Sequence, residues 1–70
     1  METNRFFEVM LMELTSNVLK IEDNLERTMH SDLNINDKIK LFNELLHDYA
    51  IAEISLKKFN FMVGKDLEKK

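Results

Sequence analysis

The sequence predicts an all-α protein folded as a two-helix antiparallel hairpin, with helices at about 3–30 and 36–66. Three observations carry that expectation. The chain has no proline and a single glycine, Gly64, in 70 residues, whereas strands and tight turns draw on several of each. Apolar residues recur at alternating steps of four and three along most of the chain, the period of a stripe down one side of a helix. Between the two periodic stretches lies a run of short polar residues that favours turns and helix starts over helix interiors.

The first helix is read from Phe7, Leu11, Leu14, Val18, Ile21 and Leu25, spaced 4, 3, 4, 3, 4. This is a heptad seam, and these six are its expected core. Glu8, Glu13, Lys20, Glu22, Asp23, Glu26 and Arg27 flank it as a solvated face. Phe6, Val9, Met10, Met12 and Leu19 widen the apolar surface of the first half beyond what one neighbour covers. The break is expected at about residues 31–36, where His30, Ser31, Asp32, Asn34, Asn36 and Asp37 cluster. Asn34 and Asn36 are both suitable N-caps for a second helix, and Asp37 suits the positive end of its dipole.

The second helix carries two overlapping stripes. Ile39, Phe42, Leu46 and Tyr49 form one; Leu45, Tyr49, Ala52, Leu56, Phe59 and Val63 form the other. Phe42, Leu46, Tyr49, Leu56 and Phe59 are the expected packing residues. Ile51, Ile54, Phe61 and Met62, left over on the outer faces, are the expected partner interface, because interface energy concentrates in a few large apolar side chains. The end of this helix is basic, with Lys57, Lys58, Lys65, Lys69 and Lys70, which suits a helix C-terminus. Gly64 stands where a C-cap would be.

One rival to the hairpin follows from the same periodicity. From Leu25 the 4–3 count continues through Thr28, Asp32, Ile35, Ile39, Phe42, Leu46 and Tyr49. A single helix of roughly 100 Å in a long coiled coil would keep that phase. Against it, Thr28 and Asp32 would be consecutive polar residues in the seam, beside the least helical part of the chain.

Composition limits the chemistry. Absence of Cys removes disulfides, thiolate zinc sites and cysteine nucleophiles. A net charge of −3 argues against direct nucleic-acid binding through phosphate contacts. Glu2, Glu8 and Glu13 interrupt the apolar residues of the N-terminus, so neither a signal peptide nor a membrane span is expected there, and the cytoplasm is the expected location. Chains of this size bury only about 60% of the surface exposed on unfolding, so a small chain without staples is expected to use a partner.

The one metal-like constellation is Glu44, His47 and Asp48, at i, i+3 and i+4 on one side of the second helix. Glu-x-x-His is a half-site of di-iron helical bundles, to which Glu22 or Glu26 would add carboxylates. Flanked by Lys40 and Asn43, the three read more simply as a solvated face. His30 and His47 are the only imidazoles, and no serine or threonine is spaced to pair with either as a nucleophile. One glycine cannot make a phosphate loop. Neither a cofactor nor catalysis is expected. Glu53 and Asn60 fall on one continuation of the heptad, and the alternative seam through Ala52, Leu56 and Phe59 leaves them exposed.

Two resemblances accompany this reading. The stretch Ile21–Phe42, IEDNLERTMHSDLNINDKIKLF, resembles the middle of the small subunit of exodeoxyribonuclease VII. The family's leucine-glutamate pair corresponds to Ile21–Glu22 and its Gly-Asp-Leu turn to Ser31–Asp32–Leu33, with Ser31 where the family has glycine. The apolar run that follows stands at Ile35, Ile39, Leu41 and Phe42. That resemblance implies an accessory subunit with no activity of its own, held by a large catalytic chain. The length, the acidic first helix and the tail FNFMVGKDLEKK resemble the small hairpin co-chaperones of type III secretion needle subunits. This second resemblance implies a helical hairpin that holds a partner chaperone and, through it, an aggregation-prone subunit. The residues themselves lead to one helical hairpin domain over 1–70, non-catalytic, assembling into a bundle with itself or with another protein. As a chaperone or adaptor it would cover apolar surface on that partner. The alternatives are the nuclease subunit and a helical regulator acting through a DNA-binding partner.

Overall fold

A computed structural model describes the backbone of residues 2–68 and the side chains of residues 4–65. Helix α1 spans Glu2–Met29 and helix α2 spans Ile35–Glu68. They run antiparallel, with Phe7 of α1 against Phe59 of α2 and Glu22 against Tyr49. No strand occurs among the described residues. The expected hairpin is therefore the fold, and the long continuous helix is not. Each helix begins within a residue of its expected start, and α2 runs two residues past its expected end, beyond Gly64.

The reversal at 30–34 is made by side chains. Asn34 is the N-cap of α2: its Oδ1 accepts the Asp37 backbone N–H at 2.9 Å, while its Nδ2 donates to Asp37 Oδ2 at 2.9 Å. Its carbonyl accepts the Lys38 N–H at 2.9 Å, the first helical bond of α2. A cap of this kind is worth about 1 kcal/mol. Of the two asparagines suited to the role, position 34 holds it because Asp37 then lies three residues on, within reach of both donors and acceptors. At the other side of the turn, Ser31 closes α1. Both its N–H and its Oγ donate to the Thr28 carbonyl, at 3.2 and 2.8 Å, and Lys38 Nζ donates to the Ser31 carbonyl at 3.2 Å. No described residue adopts a positive φ, so the turn needs no glycine.

Thr28 explains how the heptad phase crosses the break without forcing one helix. It is buried, and its Oγ1 donates to the Asn24 carbonyl at 2.8 Å. The polar seam residue is thus satisfied within its own helix, and Asp32 is left exposed in the turn.

The contact between the helices is thin. Val18 and Leu25, each 8% exposed, are the buried apolar residues. Phe7, Leu14 and Ile21 of α1 and Phe42, Tyr49, Leu56 and Phe59 of α2 are half-buried along the same line, with Met10, Leu45, Ala52 and Val63. Two expected core residues need correction: Leu11 is 41% exposed and Leu46 is 43% exposed. Each sits on the shoulder of its stripe, and in a pair of helices nothing covers a shoulder. Met10 takes the inward place near Leu11, and on α2 the second stripe, not the first, meets α1. Principal dimensions of 54 × 17 × 12 Å and a radius of gyration of 16.1 Å describe two rods side by side. A compact chain of this length would have a radius of gyration of about 11 Å.

Candidate protein-binding surface

Many apolar side chains find no place between the rods, and three groups of them form grooves or stripes. The first is the open end of the hairpin, where Phe6, Phe7, Phe59, Phe61, Met62, Val63 and Lys65 line a groove of about 520 Å³. Phe7 meets Phe59 edge-on, with centroids 6.1 Å apart and rings at 80°. This geometry suits the opposite charges of ring edge and ring face. Phe6 tilts against Phe7 at the same separation but is 57% exposed. Phe61 and Met62 are exposed at 70% and 68%. Phe59 therefore packs inward as expected, while its neighbours two and three residues on face solvent.

The second region is on α2. Ile39, Leu46, Ala50, Ile54 and Phe61 are exposed and follow one another along one side of the helix. The third is a shallow groove between the helices, lined by Leu14 and Ile21 of α1 and by Ile51, Ala52 and Ser55 of α2. Of the four residues expected to meet a partner, Ile54 and Phe61 belong to the α2 stripe. Ile51 lies in the third region, and Met62 at the open end. All four are exposed, but they do not form one patch. Ile39, Leu46 and Ala50 extend the stripe beyond what was expected. Ile39 and Leu46 were present in the first of the two overlapping seams, which was read as packing surface, whereas Ala50 belonged to neither seam. Near the turn, Met29, Ile35 and Ile39 share a further apolar hollow with Phe42.

The polar candidates are dispersed. Glu44, His47 and Asp48 are exposed and, with Asn43, line a depression on the outer surface of α2. Among the described residues no group of three or more His, Asp or Glu is placed to hold a metal ion. Glu53 is half-buried beside Tyr49, whereas Asn60 is exposed. The single ion pair among the described residues is Asp23–Arg27, 3.0 Å, within α1. It is exposed and worth no more than about 0.5 kcal/mol. No ion pair joins the basic end of α2 to α1 among those residues; Lys69 and Lys70 lie outside them.

One inter-helix polar contact has a pH consequence. Tyr49 Oη donates to Glu22 Oε1 at 2.9 Å. That bond, then partial desolvation and the negative charges of Glu22 and Glu53, holds the phenol above its ordinary 10.0. The folded state thus favours the neutral phenol. Its contribution to stability is whole below the ordinary value and is lost as pH rises through the higher folded one. Tyr49 is the only tyrosine, so tyrosinate absorbance reports it alone. The expected midpoint lies above 10.0 and falls on Glu22→Gln; a midpoint unmoved by that change would contradict the contact.

No helix among the described residues is long and apolar enough to cross a membrane. No protein-family model matches the chain, and neither a curated protein nor a solved structure matches it significantly.

Proposed function

We propose that this hairpin is a non-catalytic protein-interaction module, a small chaperone or adaptor whose exposed apolar faces assemble against another protein chain. The supporting observation is surface area. The chain exposes 5956 Å², whereas a compact monomer of its mass would expose about 4,600 Å². The excess, roughly 1,300 Å², is larger than the ~800 Å² that each partner contributes to an interface of standard size. Large apolar side chains contribute to the exposed surface: Ile39, Ile51, Ile54, Phe61 and Met62 each leave more than half their surface in solvent. Single exposed aliphatic residues are ordinary, but rows of them along a helix mark contact surfaces.

Size measurement on the assembly recovered with the tagged chain from its native host tests this reading. Ile54→Glu and Phe61→Glu are expected to release the chain from that assembly, since each places a charge in an apolar contact. Both residues leave more than half their surface in solvent, so the helix content of whatever remains assembled should hardly change. If both variants sediment in the same species as the unaltered chain, the outer face of α2 is not the interface. Recovery of a large nuclease chain as the partner would turn the adaptor reading into that of an accessory subunit.

A further inference from the structure

We infer that the partner seated on the outer stripe of α2 is a second copy of this chain, packed antiparallel about a twofold axis at Ala50. The inference rests on the interaction-module reading and names the occupant of one of its surfaces. The stripe consists of Ile39, Asn43, Leu46, Ala50, Ile54, Lys57 and Phe61, all exposed. At about 100° per residue these seven fall within an arc of about 80°, turned away from the line of Tyr49, Leu56 and Val63 that meets α1. Their steps are 4, 3, 4, 4, 3, 4. The order reads the same from either end.

A stripe with that symmetry complements itself when a second helix lies across it in the opposite direction. Ile39 then meets Phe61 of the second copy, Leu46 meets Ile54, and Ala50 meets Ala50. Every contact is made twice, as a twofold interface requires. The smallest side chain falls on the axis, where the two backbones come closest. The remaining layer sets Asn43 against Lys57, whose ammonium can donate to the amide oxygen. A parallel pair would instead place Lys57 on Lys57 and Ala50 on Ala50 with no compensating partner for the charge, so the antiparallel arrangement is selected. From Ile39 to Phe61 the contact is about 33 Å long. The two hairpins together then form four helices with the α2 pair at the centre, which gives α2 a second buried face. The excess surface noted above exceeds what one side of a stable dimer has to supply.

The test uses the full chain purified alone. Sedimentation equilibrium at micromolar concentration is expected to give twice the 8.4 kDa chain mass, and Leu46→Glu is expected to raise the dimer Kd about tenfold or more. Because the chain has no Cys, single-cysteine variants report register directly. Oxidised Ala50→Cys should form a covalent dimer rapidly, since residues on the axis lie within disulfide reach. Glu44→Cys, exposed on another side of α2, should not. The inference is overturned by a monomer at micromolar concentration, or by cross-linking at position 44 in preference to position 50. A chain that is monomeric alone, yet leaves its native assembly on Ile54→Glu, would overturn the second copy and leave the wider reading standing.

Discussion

Leu25→Ala is expected to remove about 2–3 kcal/mol from the stability of the hairpin, the largest loss from any single truncation of an apolar side chain. Leu25 is 8% exposed and occupies the inter-helix seam one turn from the buried Thr28. Truncation there removes most of a buried side chain and leaves space that two helices cannot close without losing contact on either side. A chain of 70 residues has about 4–10 kcal/mol in all, and a contact this thin belongs at the low end. The same truncation at Leu11 is the informative comparison. The two residues share one heptad seam, yet Leu11 is 41% exposed, and its loss is expected to stay below about 1 kcal/mol. Thermal melts followed by far-ultraviolet circular dichroism separate the cases, because 1 kcal/mol moves Tm by about 4–8 °C in a domain this small. Equal shifts for the two variants would mean that the seam is buried along its whole length, contrary to the structure.

Phe59→Ala is expected to be next in size, at about 2 kcal/mol, lower than for a fully buried aromatic because Phe59 is half-buried. Its ring, edge-on to Phe7, makes the only aromatic contact between the two helices among the described residues. Loss of Phe59 should therefore fray that end first, while the turn held by Asn34 and Ser31 stays formed. A double-mutant cycle with Phe7→Ala is expected to show a coupling of about 0.5–1.5 kcal/mol. Hydrogen exchange should localise the loss to the first turns of α1 and the last turns of α2. A coupling near zero, or exchange that quickens uniformly along both helices, would show that the aromatic pair does not clamp the end.

Much of the architecture was legible before any coordinates. The 4–3 spacing of Phe7, Leu14, Val18, Ile21 and Leu25 marks α1, and the cluster from His30 to Asp37 marks the reversal. Each of these is a local property, set by helix period and by short polar side chains that compete for backbone groups. The choice between Asn34 and Asn36 as cap was within reach too, since only Asn34 has Asp37 three residues on; both stood open because each carries a side chain suited to a cap. Leu11 and Leu46 were misread for a different reason. Periodicity shows that a residue lies on an apolar stripe, but not whether the neighbouring helix is wide enough to cover its shoulder.

By itself, then, the amino-acid order establishes two long helices, a polar reversal between them, and more apolar surface than one pair of helices hides. Which part of α2's two seams turns inward is settled by packing. The stripe through Leu45, Ala52, Leu56 and Val63 meets α1, and of the stripe through Ile39, Phe42, Leu46 and Tyr49 only Phe42 and Tyr49 join it, while Ile39 and Leu46 are left to solvent. Both stripes satisfy the helix period equally, so local rules cannot separate them. They differ only in which can face Val18 and Leu25 while Phe59 reaches Phe7 and Tyr49 reaches Glu22, and those contacts exist only once the chain has folded back on itself.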